Sequence, residues 1–386
     1  MKQTNQIQVL YIITQLELGG AQKVCLSLFH GIANKDHQTH LISGTGETNA
    51  ILAEQIYNNP NTIFLKQMTR SLTLFGFIHE LRCFFALIKS IKALHKKNPH
   101  LIVHTHSTKA GILGRWAAFF AGVKKRMHTI HGYAFHEQQP YPIWLAIYLI
   151  ELMTSVITTH YVCVSSADVK TGMRLFPGFA NKHSIIRAAI DWEQFYVPAP
   201  LDPVHPEPVE GFIFGTIACF KPQKNIFDLL KAFAHVYHHN NNVTLEIIGD
   251  GAQRKEIEAW IKNNHLQKQI LLHGWQDKVA PIMLSWHAFT LTSLWEGLPC
   301  AIIEARMLKL PVLCYDTGGI HDVIIDGCNG FLFKKGSWQE LAQKMLELTR
   351  NKSLYTKLHD HMDDLRDFQT NLMIDQHLEL YKTHLL

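Results

Sequence analysis

Residues 293–305 read SLWEGLPCAIIEA, and their reading decides the fold. A strand near 288–292 runs into a loop that holds Glu296 and Gly297, and Pro299 suits the first turn of the helix that follows. Glu304 then falls inside that helix, so the two acids stand one at its mouth and one about a turn and a half within. A carboxylate pair so placed accepts hydrogen bonds from vicinal hydroxyls. The amides of Gly297 and Leu298 can meet an anion. An acid at a helix mouth also suits the helix dipole alone. Glu304, set amid CAIIEA, weighs against so plain a role, because an acid on an apolar face needs a partner.

The same strand–loop–helix unit recurs outward from this stretch. Strands are expected at 9–14, 39–43, 101–105 and 127–130, with helices at about 78–97 and 110–121. The run 141–164 is the most apolar of the chain, but Glu151 and His160 interrupt it. It reads as a buried helix followed by a strand at Tyr161–Val164 rather than as a membrane span. Five prolines between Pro198 and Pro208 resist helix and central strand, so 197–210 reads as a linker. Beyond it the alternation restarts with strands at 212–217, 243–248, 270–272, 288–292 and 311–315, and helices near 226–239 and 252–265. The expectation is an α/β chain with two doubly wound domains, 1–196 and 211–369. A ligand belongs at the carboxyl ends of the strands, in a cleft between the domains.

The chain has 386 residues, 47% of them hydrophobic and 18% charged, which excludes a charge-driven disordered protein. Residues 1–195 hold 19 Lys and Arg against 10 Asp and Glu, whereas 196–386 hold 18 against 22. One half therefore suits an anionic partner, while the overall excess of five positive charges does not indicate nucleic acid. Seven scattered cysteines, none in a C-x-x-C pair, argue for a reducing compartment. The apolar run at 9–13 is too short for a signal peptide, so a cytoplasmic place is expected.

The E-x7-E arrangement with its intervening G-L-P resembles the signature of retaining glycosyltransferases of family 4, which have the GT-B fold of two Rossmann-like domains facing a cleft. The likeness extends along nearly the whole chain. LELGGAQK at 16–23 looks like that family's first glycine loop, and HTHSTKAGILGR at 104–115 and TIHGYAFHE at 129–137 like the motifs after it. VCVSSADVK at 162–170, RAAID at 187–191, IACFKPQKN at 217–225, IIGDG at 247–251, LHGW at 272–275 and DTGGIHDVIIDGCNGFL at 316–332 follow in the family's order.

The resemblance implies the following roles. Gly19, Gly20, Gly318 and Gly319 would bring backbone amides to the donor diphosphate, and Lys224 would neutralise it. Glu296 would hold hydroxyls of the donor sugar and Glu304 those of the ribose, while His131 would lie beside the reacting sugar. The donor would be a nucleotide-diphosphate sugar, a UDP-sugar first, and the acceptor a lipid-linked saccharide or a polysaccharide or lipopolysaccharide precursor. No metal or other cofactor is implied, and the chain has no D-x-D pair. The C-terminal domain would bind donor and the N-terminal one acceptor, with helix 370–386 returning to the N-terminal domain. Two other readings stay open: a non-catalytic partner subunit with this fold, and a nucleotide-sugar epimerase or hydrolase. A nicotinamide enzyme is disfavoured because G-x-G-x-x-G is missing at Gly19–Gly20.

Two further features need a reading. His104 and His106 share one face of a strand, and His128, His131 or His136 could complete a metal site. No metal motif accompanies them, so they are read as polar residues of the core or the site. Residues 79–97 carry Arg82, Lys89, Lys92, Lys96 and Lys97 beside an apolar stripe of Leu81, Phe84, Phe85, Ile88, Ile91 and Leu94. The stripe is expected to pack on the sheet and the basic face to attract an anionic membrane. The apolar stretch 68–77 before it could touch lipid.

Three positions depart from the family pattern: Cys219 where an Arg is usual, Asp322 for Glu, and Ala189 for Gly. Cys cannot make the bidentate phosphate contacts of Arg, and Lys221 is near enough in sequence to compensate. Lys221→Ala should then weaken nucleotide binding about tenfold in a calorimetric titration. Unchanged affinity would remove Lys221 from the diphosphate site.

Overall fold

Short strands of the first half pair into one wholly parallel sheet that is buried at its centre and more open at its edges. They are β1 (Gln8–Gln15), β2 (Gln38–Gly44), β3 (Thr62–Phe64), β4 (Ile102–His106), β5 (Lys125–Ile130), β6 (His160–Cys163) and β7 (His183–Ile185). Their spatial order is β3-β2-β1-β4-β5-β6-β7. In the second half β8 (Phe212–Ile217), β9 (Val243–Ile248), β10 (Ile270–Gly274), β11 (Ala288–Leu291), β12 (Val312–Tyr315) and β13 (Gly330–Phe333) form a second parallel sheet. Its order is β10-β9-β8-β11-β12-β13. The computed structural model describes residues 6–17, 19–45, 51–54, 56–69, 76–195 and 211–385. The proline-rich stretch 197–210 and residues 70–75 of the expected lipid-touching loop lie outside them.

The chain divides into two units, Met1–Ile190 with Asp367–Leu386, and Asp191–Arg366. Each is a Rossmann-like layer of parallel strands covered by helices, the physical requirement of a sheet buried on both faces. All eight residues of β1 are buried. Strand order reverses direction between β1 and β4, and again between β8 and β11. The loops leaving those strands open the crevice where such sheets bind ligands.

The final helix, Thr370–Leu385, belongs to the first unit and packs on the helix Gly20–Ala33. Met373, Ile374, His377, Leu378 and Tyr381 are its buried face. Gly31 makes the approach feasible, since a Cβ there would stand 2.2 Å from Ile374 Cδ1.

Two expectations about helix faces need correction. The stripe of the helix Gly76–Lys97 is split: Cys83, Leu87 and Ile91 enter the core and Phe84, Ile88 and Leu94 are half-buried, but Leu81 and Phe85 face solvent. The helix Tyr141–Ile157 is not a buried one. Its inward residues include Glu151, Thr154 and Ser155, and Ile143, Leu149, Ile150, Met153 and Val156 are exposed. The reason is Arg115, which is fully buried beneath it and draws polar groups inward. Its guanidinium lies 2.9 Å from the Glu151 carboxylate and donates to Thr158 Oγ1 at 2.9 Å.

In the second unit Trp286 is fully buried over β8, where Gly215 leaves space for it. A Cβ at Gly215 would fall 1.9 Å from the indole. Gly215→Ala should destabilise this unit by about 2–3 kcal/mol, lowering the urea midpoint followed by tryptophan fluorescence. Pairing it with Trp286→Leu should recover part of the loss, because the two changes share one space.

Candidate functional site

In the second unit the loop after β8, the loop after β11 and the loop after β12 meet at one edge of the sheet. Lys224 ends a short turn at Pro222–Lys224, and its Nζ forms an ion pair with the Glu296 carboxylate. Both side chains are mostly buried. The loops are tied along their length. Leu294 N donates to the Gln223 carbonyl at 2.8 Å, Gln223 Nε2 to the Trp295 carbonyl at 2.7 Å, and Thr292 Oγ1 to the Asn225 carbonyl at 2.9 Å. The Lys224–Glu296 pair is therefore positioned by backbone on both sides.

Gly318 and Gly319 press on the same loop. Gly318 has φ +58°, and a Cβ there would stand 2.1 Å from the Glu296 carbonyl oxygen. Gly319 N donates to the Gly297 carbonyl at 2.6 Å. Leu298 is buried, and the helix Cys300–Met307 begins directly after Pro299. Glu304 is on that helix and buried. The structure thus brings together Lys224, Glu296, Gly297, Gly318 and Gly319, with Leu298 just before the adjoining helix and Glu304 within it. Lys221 and Cys219 lie in the loop after β8, where the Lys221 amide donates to the Cys219 carbonyl at 2.8 Å.

The sequence reading missed the work of Gly249 and Gly251. Both have positive φ, and a Cβ would stand 2.0 Å from the Ala218 carbonyl oxygen and 2.7 Å from that of Phe220. Phe220 N donates to the Asp250 carbonyl at 2.8 Å. The G-D-G of 249–251 was the available signal: it buttresses the segment that carries Lys221 and Lys224.

Chemically, Lys224 has three N–H donors, so it can hold Glu296 and still meet phosphate oxygens. Glu296, fixed by that pair, keeps oxygen lone pairs for sugar hydroxyls.

In the first unit, Gly19 and Gly20 follow β1 and open the helix Gly20–Ala33. His131 follows β5 and belongs to a histidine cluster that the sequence showed only as scattered residues. Its Nε2 lies 3.0 Å from His106 Nδ1. His104 stacks on His106 at 4.7 Å between ring centres. Both ring nitrogens of His104 are engaged, one with Tyr381 hydroxyl at 2.6 Å and one with Thr129 Oγ1 at 2.7 Å. Tyr381 in turn meets Tyr11 hydroxyl at 3.1 Å. His106 Nε2 and His377 Nε2 are buried without a hydrogen-bond partner in the protein. Among the described residues no group of three or more His, Cys, Asp or Glu is placed to hold a metal ion. His104 instead spends its nitrogens on hydroxyls.

Burial pushes the His131 and His377 imidazoles down to about 4. His104, His106 and His128 are lowered as well, by burial first and by neighbouring ionisable groups second. The cluster is neutral at pH 7.

These two parallel sheets and their strand orders are those of the GT-B fold. The family model for Glycosyltransferase Family 4 matches residues 18–194, and that for Glycosyl transferases group 1 matches residues 200–363. The chain belongs to the family 4 glycosyltransferases. A curated relative from Escherichia coli, UDP-Gal:alpha-D-GlcNAc-diphosphoundecaprenol alpha-1,3-galactosyltransferase, is 28% identical over 92% of this chain and 91% of its own. The capsular polysaccharide biosynthesis glycosyltransferase CapM of Staphylococcus aureus is 22% identical over 84% of this chain and 83% of its own. In fold, the chain matches Anabaena HepE in complex with UDP and glucose at a TM-score of 0.80 and 17% identity, over 98% of this chain and 100% of the other.

Titration of the histidine cluster sets an acid limit. The folded imidazoles bind protons only near or below pH 4, whereas the unfolded chain binds them from about 6.5. Between those values the unfolded state holds more protons, so stability falls as pH drops. Each such histidine contributes up to about 1.4 kcal/mol per pH unit. Hydrogen exchange of β4, β5 and the helix Thr370–Leu385 should lose protection between pH 7 and 5. Protection that stays level after correction for intrinsic rates would show that these imidazoles titrate normally.

Proposed function

We propose that the protein transfers a hexosyl group, with retention at the anomeric carbon, from a UDP-sugar to a saccharide linked through diphosphate to a lipid, in the assembly of a cell-envelope polysaccharide. The Lys224–Glu296 pair under the Gly318–Gly319 loop carries this reading. The name and full-length match of the Escherichia coli relative support the donor and acceptor class.

In this reading Lys224, with Lys221 and the amides of Gly318 and Gly319, holds the donor diphosphate, and the first unit offers the amides of Gly19 and Gly20 to phosphate. Glu296 and the Gly297–Leu298 amides orient the sugar, and Glu304 accepts from the ribose hydroxyls. His131, neutral at pH 7, lies beside the sugar as a hydrogen-bonding group rather than a cation. An acceptor oxygen attacks the anomeric carbon on the face that the diphosphate leaves. The carbon–oxygen bond to phosphate breaks as the new glycosidic bond forms, and the acceptor proton passes to a phosphate oxygen. Negative charge grows on the leaving UDP, and the fixed Lys224 charge stabilises it without reorganisation.

The protein is placed at the inner face of the cytoplasmic membrane in this reading. Seven free cysteines support a reducing compartment. Among the described residues no helix is long and apolar enough to cross a membrane, and the basic first unit supports attraction to an anionic surface.

The test is incubation with UDP-galactose, UDP-glucose or UDP-N-acetylglucosamine and a water-soluble N-acetylglucosaminyl diphospholipid analogue, following UDP release and product mass. Acceptor-dependent UDP release giving an α-linked disaccharide is expected. Glu296→Gln and Lys224→Ala should each lower kcat about 100-fold or more. Sugar release from donor without acceptor would replace this reading with a hydrolase. Wild-type rates in both variants would remove the pair from catalysis.

A further inference from the structure

The helix Tyr141–Ile157 is apolar on both sides: Trp144, Ile147, Tyr148 and Leu152 pack on the core, and a second apolar face turns outward. Its single charged residue, Glu151, is buried against Arg115. Thr154 is buried as well and accepts a hydrogen bond from Trp116 Nε1 at 3.0 Å. Its water-facing side is apolar: Val156 is 81% exposed and Met153 58%, with Ile143, Leu149 and Ile150 beside them. An exposed apolar face of this length costs free energy in water unless something covers it.

The face continues onto the two neighbouring helices. Trp116 rings with Phe119 and Phe120, at 5.9 and 6.0 Å, on the helix Thr108–Phe120. Phe120 meets Phe84 edge-on at 6.0 Å on the helix Gly76–Lys97, and next to it Phe85 is 64% exposed. Phe119 and Phe120 are themselves exposed.

Charge says what covers this face. On the helix Gly76–Lys97 the exposed residues Ile78, Arg82, Phe85, Lys89, Lys92 and Lys96 follow the spacing of one helical stripe. Lys124, just past Phe120, is exposed too. Residues 76–190 hold 14 Lys and Arg against 4 Asp and Glu. Of those acids, Glu80 is paired with Lys109, and Glu151 and Asp168 are buried. An apolar face rimmed by cations fits an anionic bilayer, with the apolar side chains among acyl chains and the ammonium groups among phosphates. A second copy of the chain fits poorly, because a two-fold contact would set one basic stripe against another.

We infer that the exposed apolar face of the helix Tyr141–Ile157, with Phe85, Phe119 and Phe120 and the basic stripe beside them, docks the protein on an anionic lipid bilayer. This deepens the proposed transfer to a lipid-linked acceptor and rests on that reading for its purpose. The surface itself is read from exposure and charge.

Co-sedimentation of the full chain with phosphatidylcholine vesicles, with and without phosphatidylglycerol, tests it. Binding is expected with the anionic vesicles and should weaken as salt rises. The double variant Ile150→Glu with Met153→Glu should lose about tenfold or more of the vesicle partition. Lys89→Glu with Lys92→Glu should lower the partition and flatten its salt dependence. Met362→Glu, at a position 80% exposed in the second unit, should bind as wild type does. All variants should turn over the water-soluble acceptor at the wild-type rate, which shows that they fold. Wild-type partition in the double variant would overturn the inference. So would a dimer in sedimentation that the double variant splits, because the face would then belong to a second copy. Absence of turnover in every protein, wild type included, would overturn the transfer reading and leave this one standing.

Discussion

At the carboxyl edge of the second sheet, backbone meets backbone, and the geometry of the charged pair depends on it. Gly249 lies on the Ala218 carbonyl, Gly251 on that of Phe220, and Gly318 on that of Glu296. Each contact is closer than any side chain would allow, and each residue has a positive φ. The loops after β9 and β8, and those after β12 and β11, thus meet main chain to main chain, and the Leu294 amide to the Gln223 carbonyl joins the two pairs. That matters for a buried ion pair, whose desolvation is offset only when its partners are already in place. Lys224 and Glu296 meet because the segments that carry them have little freedom to part. A preorganised charge of this kind suits a reaction whose leaving group gathers negative charge.

The fold was legible from local pattern. A parallel strand covered on both faces is a short unbroken apolar run, and FIFGTI and VTLEII coincide with β8 and β9 residue for residue. The helix Ile226–His239 was equally plain from its spacing. The second unit's site was legible in part, because E-x7-E and its flanking G-L-P are contiguous in sequence. The buttressing by Gly249 and Gly251 was not, since a sequence shows a glycine but not the carbonyl that it admits. The histidine cluster was least legible. His104, His131 and His377 are far apart in the chain and meet only through pairing of β4 with β5 and the return of the last helix.

That return has a chemical consequence. Tyr381 on the last helix hydrogen-bonds both Tyr11 and His104, and His104 stacks on His106, which reaches His131. A polar chain therefore runs from the C-terminal helix to the residue after β5 through the middle of an apolar unit. Polar groups in such a place specify one arrangement, because a shifted helix would leave hydroxyls and imidazoles unpaired. The neutral state of the imidazoles follows from the same burial. His131 thus offers a hydrogen bond of definite direction, set by the tautomer that His106 permits.

The helix that is apolar on both sides shows where pattern reading meets its limit. Periodicity locates the apolar and polar faces of a helix but does not say which of them turns inward. The helix Tyr141–Ile157 is apolar nearly all round, so either the Trp144, Ile147, Tyr148 and Leu152 side or the Leu149, Ile150, Met153 and Val156 side could turn inward, and the first one does. Arg115 decides between them: a guanidinium with no exposure needs acceptors, and Glu151, Thr158 and the Gly111 carbonyl supply them. Reversing the helix would strand that charge, at a cost larger than exposing a few apolar side chains to water. The cost of that exposure falls further where the side chains meet something other than water. The buried arginine and the outward apolar face are thus two sides of one choice, and against the proposed bilayer that choice is favourable.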